Sequence, residues 1–371
     1  IIDYELAATY GLLEAAANNR HLLVRSFYRL NRKQIELGTK EAPYAWVIPR
    51  DQHDPPAAAR LVQILDEQGA EIHQAAAGFQ VNDKPYPAGS YVILMAQSFR
   101  PFVKDLLEKQ SYPAQRTGPG GAVERPYDVT GWTLPYQMGV EAVEAAKKFD
   151  AKLELLKTIP VPPGRFDAGS TKNPVGYEIP TRFNNVSIAV NRLLQGGHDV
   201  SWRADAVFVR SRPGLAPQLE DWSRRLGIDV KGVPFVPGES ARKLRPVRLA
   251  LYAPWLPNMD EGWTRWLLEQ YEFPYTSVRA KEIQAGQLHT RFDAILLADQ
   301  PKTSLLRGVS TEWTRPEHRG GLGPEGVAAL KDFVRNGGTL VTLGSSSLLP
   351  VEEFPLPLKN ALKGLRPDQF S

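Results

Sequence analysis

The chain has 371 residues, 42% hydrophobic and 23% charged, with 45 basic against 41 acidic side chains for a net charge of +4. That length exceeds one ordinary core and predicts two or three domains. No apolar run approaches the roughly 20 residues needed to cross a bilayer, and the basic residues are interleaved with acids rather than gathered into a nucleic-acid stripe. The absence of cysteine excludes disulfides, thiolate zinc sites and a cysteine nucleophile.

Residues 3–37 read as helical, with Leu6, Tyr10, Leu13 and Ala17 at helical spacing, then Leu23, Phe27 and Leu30. Gly38 suits a stop. Two helices make no domain, so residues 1–40 are expected to be the tail of something preceding them. An α/β unit is expected over 41–150, opening with a strand at 45–48. The loop 49–54 leads into a helix whose Asp54 suits the N-cap, Pro55 the first turn and Gly69 the C-cap. A strand at 70–74, a hairpin over 79–95 turning at Asn82 and Asp83, and a helix at 99–110 follow. The Gly- and Pro-rich stretch 111–135 predicts an irregular loop.

A boundary is placed near 151, where periodicity is weakest, and a second α/β unit is expected over 151–245. It would hold helices at 186–194 and 216–226 and strands at 199–203 and 206–209. The cluster Arg242, Lys243, Arg245 and Arg248 reads as a solvated linker. The third unit, 246–371, alternates strands at 247–252, 292–297 and 339–343 with helices at 260–271 and 324–335. Such alternation predicts an α/β fold with mostly parallel sheets flanked by helices. The chain opens on Ile1 without a signal pattern and stops after an unfinished α/β unit, which reads as a portion of a larger polypeptide.

Three segments hold candidate chemistry. The loop "PRDQHDP" offers Arg50, Asp51, Gln52 and His53 at the carboxyl edge of a sheet, where an anionic or peptide ligand could bind. A polar network locking two domains explains it as well, and slightly better. "NMDEGWTRW" offers Asp260, Glu261 and Arg265, though a helix cap and an i to i+4 ion pair account for most of it. "NGGTLVTLGSSS" ends a strand in a sharp turn and makes Ser345 or Ser346 a candidate serine-hydrolase nucleophile. A serine needs a base within hydrogen-bond reach; only His289 and His318 lie in this unit, so a serine-rich structural turn is favoured. None of the six histidines is followed by the glutamate of a His-x-x-Glu zinc pair, and no metal site is expected.

"YAWVIPRDQHDPPAAARLVQILDEQGAEIHQA", "YPAGSYVILMAQSFRPFVKDLLEKQ", "RPYDVTGWTLPYQMGVE" and "LALYAPWLPNMDEGWTRWLLEQYEFPY" together resemble the carboxy-terminal region of large bacterial zinc carboxypeptidase-like proteins, of the carboxypeptidase A superfamily. The resemblance implies a class I glutamine amidotransferase-like (flavodoxin-like) domain at the end of the chain, here without its cysteine. It also implies a zinc metallopeptidase domain before Ile1 that would hold every catalytic residue, so no cofactor is expected in these residues. The expected function is a non-catalytic accessory region, with that peptidase domain as partner and a peptide as substrate of the whole. Export to the periplasm or beyond follows from the resemblance alone, and homo-oligomerisation is left open.

Overall fold

A computed structural model of the chain describes residues 1–365 apart from positions 114, 117, 119–123, 125–128, 130, 170–173, 237, 239–240, 310 and 312–313. Much of the loop expected at 111–135, part of the basic segment before 246 and the final residues 366–371 therefore lie outside the described residues. Three larger sheets and a two-stranded hairpin follow a long amino-terminal helical arm; the first unit holds two apolar clusters and the other two units one each.

The arm consists of α1 (Ile2–Asn18) and α2 (Arg20–Lys40), separated only by Asn19. Its hydrogen-bond ladder runs through the break, from Asn19 N–H to Ala15 O and from Leu23 N–H to Asn19 O, both 3.0 Å. Among the described residues of the two helices only Gly38 is buried. Gly38 does not end α2, as its sequence context predicts; it brings the helix onto the body. A Cβ there would lie 2.0 Å from Met95 O, so no other residue allows this approach.

The first unit contains β1 (Ala45–Ile48), α3 (Pro55–Glu67), β2 (His73–Ala75), the hairpin β3 (Phe79–Val81) and β4 (Lys84–Tyr86), β5 (Tyr91–Leu94), α4 (Arg100–Leu107), α5 (Leu134–Met138), β6 (Val143–Glu144) and β7 (Leu153–Leu155). Asn82 and Asp83 make the β3–β4 turn at φ 51° and 65°, the left-handed pair a tight hairpin requires. The sheet order is β6-β1-β5-β2-β7, and every neighbouring pair is antiparallel. β1 and β2 do run the same way, as a βαβ unit should. β5 returns between them and turns the expected parallel pair into two antiparallel ones. The pairing of β7 with β2 also carries this unit past the boundary expected at 151.

The second unit contains β8 (Phe166–Asp167), β9 (Gly176–Pro180), α6 (Val186–Gln195), β10 (Val200–Trp202), β11 (Ala206–Arg210), α7 (Leu215–Leu226), β12 (Val230–Val233) and β13 (Arg242–Lys243). Its order, β13-β10-β11-β9-β12-β8, is antiparallel except for β12 with β8. From β9 to β12 this is a βαββαβ arrangement of the split type, because β11 inserts between β9 and β10 as β5 does between β1 and β2.

The third unit is the parallel one. β14 (Leu249–Tyr252), α8 (Met259–Gln270), β15 (Tyr275–Val278), α9 (Ala280–Gln284), α10 (Leu288–Arg291), β16 (Ala294–Leu297), α11 (Lys302–Arg307), α12 (Gly323–Arg335), β17 (Thr339–Thr342) and α13 (Leu348–Glu353) follow in order. The strands align β15-β14-β16-β17, all parallel. The α/β class with flanking helices thus holds throughout, while parallel pairing is concentrated in this sheet.

Candidate functional site

The loop 49–54 leaves the carboxyl end of β1 and is drawn into contacts between units. Asp54 is 5% exposed; one oxygen accepts from Ala57 N–H at 3.3 Å and the other from Asn184 N–H at 2.8 Å. A buried carboxylate is tolerable only with such partners, and the amino terminus of α3 adds a favourable dipole. Asp54 therefore caps α3 and clasps the second unit in one stroke. Gln52 is spent locally, donating to Pro49 O at 2.9 Å and Glu141 O at 3.0 Å and accepting from Glu141 N–H at 2.9 Å. His53 is exposed, and its carbonyl accepts from Arg182, which also pairs with Asp229 at 2.8 Å. Arg50 turns to its neighbour Asp51 at 3.0 Å. The four candidates form clasps and surface contacts and do not converge on a ligand site.

At the start of α8, Asn258 caps the helix, accepting from Asp260 N–H at 2.8 Å and Glu261 N–H at 3.4 Å. Its amide donates to Asp299 O at 2.9 Å, joining the loops after β14 and β16. Glu261 is buried and pairs with Arg265 one turn on, whereas Asp260 is exposed. Cap and ion pair absorb this cluster, and neither Arg265 nor Glu261 reaches the loop of Arg50.

The turn after β17 is sharp for a steric reason. Gly344 adopts φ +52°, and a Cβ there would lie 2.1 Å from Asp299 Oδ2. Asp299 in turn accepts from Ser345 N–H at 2.9 Å. Ser346 is 0% exposed; its hydroxyl donates to Ala298 O and accepts from Gln300 N–H at 3.1 Å. Ser345 is exposed, yet no histidine ring bonds to either serine among the described residues. His318 stacks on Trp255 at 3.7 Å, and Arg279 lies 4.0 Å from the same indole. Together they pack the carboxyl edge of the parallel sheet, where α/β proteins usually hold ligands.

Two of the cavities bear on these segments. One, of about 600 Å³, lies at the opposite, amino edge of the parallel strands and is lined by Arg242, Lys243, Arg245, Arg248 and His289. Its charges are largely committed: Lys243 pairs with Asp199 at 3.0 Å, and Arg248 grips Asp293 at 2.8 Å while donating to Thr290 O at 2.6 Å. Hydrogen bonds from Arg248 hold the Asp293 carboxyl well below its usual range, at about 2. The basic run read as a solvated linker is exposed, and ion pairs to Asp199 and Asp293 pin it as well.

The other cavity, of about 440 Å³, lies where all three units meet. Asp54, Arg60, Asn184, Trp266, Gln270 and Tyr271 are among its walls. Nearby, Arg192 holds Glu272 through two bonds of 2.8 and 2.6 Å, and Asn191 donates to Tyr271 O at 2.8 Å. Burial raises the Tyr271 phenol above its ordinary range, and the Asp54 charge adds to the rise. Asn184, Gln270 and Tyr271 had no signal in the sequence; the partners of the Asn184 and Tyr271 backbone groups lie 130 and 80 residues away.

Among the described residues no group of three or more histidine, aspartate or glutamate side chains could hold a metal ion, and no helix is long and apolar enough to cross a membrane. Compared with protein-family models, with curated proteins and with solved structures, the chain finds no match in any of the three.

Proposed function

We propose that this chain is a non-catalytic accessory region of a zinc metallocarboxypeptidase-like protein. In this reading the arm α1–α2 seats the three α/β units on the metallopeptidase domain of the same polypeptide. The observation that supports it most is the arm itself. Every large hydrophobic side chain from Ile1 to Ile35 is exposed, Leu12 to 71% and Phe27 to 72%. An apolar surface of that extent is unusual on a free monomer, and an isolated helix has little stability without packing. The first helix is apolar on several sides, as suits an element buried all round, and the second is amphipathic.

The resemblance of the four sequence blocks supplies the identity of the partner. Zinc held by that domain would activate water for hydrolysis of a carboxy-terminal peptide bond, and the present residues would position and shield it. An exported location belongs to the same reading. So does kinship of the third unit with amidotransferase-like domains, favoured by its strand order of second, first, third and fourth. The buried, doubly bonded hydroxyl of Ser346 and the lack, among the described residues, of a base bonded to Ser345 speak against a serine hydrolase.

The test is an assay of the purified 371-residue chain, supplied with zinc, on peptides with free carboxy termini. No release of terminal residues is expected. Turnover that a chelator abolishes would overturn the assignment of an accessory role.

A further inference from the structure

We propose that the cavity at the junction of the three units binds a neutral oligosaccharide, with the exposed stripe on α8 as the ramp that leads the sugar chain into it. The cavity volume of about 440 Å³ falls within the range of roughly 300–1,000 Å³ usual for small-molecule sites, and such sites favour domain junctions.

Its chemistry selects against a charged ligand. Both oxygens of Asp54 are occupied by backbone N–H groups, and Arg60 is paired with Glu67 at 2.8 Å. Apart from the remaining N–H donors of Arg60, the free hydrogen-bonding capacity is uncharged: the side-chain amides of Asn184 and Gln270 and the hydroxyl of Tyr271 make no hydrogen bond with described residues. Beside them stands the indole of Trp266, 48% exposed. Amides and a phenol next to an uncovered aromatic face match a sugar, which offers hydroxyls around its rim and C–H groups on its face.

The second observation is independent of the cavity. Met259, Trp263, Trp266 and Leu267 are all exposed and share one side of α8, being spaced by four, three and one residues. The rings of Trp263 and Trp266 meet edge to face at 6.1 Å. This stripe runs from open solvent to the cavity mouth at Trp266 and Leu267, a layout for a chain of sugar units. Because the walls come from all three units, an occupant would also tie them together and raise the melting temperature.

The experiment titrates the full chain with cellohexaose, maltohexaose and chitohexaose, following tryptophan fluorescence and calorimetric heat. At least one is expected to bind saturably, and Trp266→Ala should weaken it about tenfold, the upper end of an aromatic contact. Gln270→Ala should weaken it severalfold, while Trp263→Ala should weaken the hexasaccharide and leave the matching disaccharide unaffected. If Trp266→Ala does not fold, Trp266→Leu removes the flat face while keeping apolar bulk and should show the same loss. Failure of all three sugars to bind at millimolar concentration would overturn the proposal. So would unchanged affinity in the folded Trp266 variant, or preference for a neutral hexapeptide with blocked ends.

Discussion

The Asp54 side chain is held by groups on two units, and the side chains of its exposed neighbours Asp51 and His53 are not. Replacing it with alanine removes a helix cap and strands Asn184 N–H at the interface, at a cost of roughly 2 kcal/mol. His53→Ala should stay within about 0.5 kcal/mol, as an exposed side chain; urea denaturation of the two variants separates them. Its capping role was legible, since Asp54, Pro55 and Gly69 sit where a helix would want them. Its second bond was not, because Asn184 lies 130 residues away and nothing in either segment announces the other. The Glu261–Arg265 pair was legible because helical geometry fixes it at four residues' separation, whereas Arg192 and Glu272 stand 80 residues apart. Asp293 gives a pH signature. Its folded-state pKa, depressed to about 2 by Arg248, makes it a source of stability above the unfolded value of roughly 4. That contribution is lost as pH falls from about 4 towards 2, so Asp293→Asn should flatten the acid limb of the stability profile there while lowering stability at neutral pH. At the turn after β17, a fluorophosphonate probe should label neither Ser345 nor Ser346; labelling would show a base not found among the described residues.

At the scale of elements, helices were the readable part. The 3.6-residue recurrence places helices at 186–194 and 324–335, close to Val186–Gln195 and Gly323–Arg335. Strand pairing was not readable, for a physical reason. A βαβ rhythm fixes the direction of the two strands but not what enters between them, and β5 and β11 both enter. β15, with the sequence Tyr-Thr-Ser-Val, carries no strand signal because an edge strand has only one neighbour and tolerates polar residues. The arm α1–α2 was legible as helix. Phe27→Glu tests its separateness: the side chain touches nothing in the three cores, so the melting of the body should not move. A fall of more than about 1 kcal/mol would mean that the arm packs on the body.

For the whole molecule, three cores are joined by clasps of limited strength. The Arg192–Glu272 pair is about a third exposed on each side, and such pairs contribute about 1 kcal/mol or less. Calorimetric unfolding is accordingly expected to show more than one transition, and a single two-state transition would mean a tighter junction than these contacts provide. The multi-unit α/β plan followed from length and the alternation of elements. The junction cavity did not, since its walls are assembled from all three units. The account as a whole turns on the arm, and hydrogen exchange reads it directly. Amides of residues 2–35 are compared in the 371-residue chain and in the product of the complete reading frame. Fast exchange is expected in the first and strong protection in the second, where bound zinc and release of carboxy-terminal residues should accompany it. Equally fast exchange in both would contradict it.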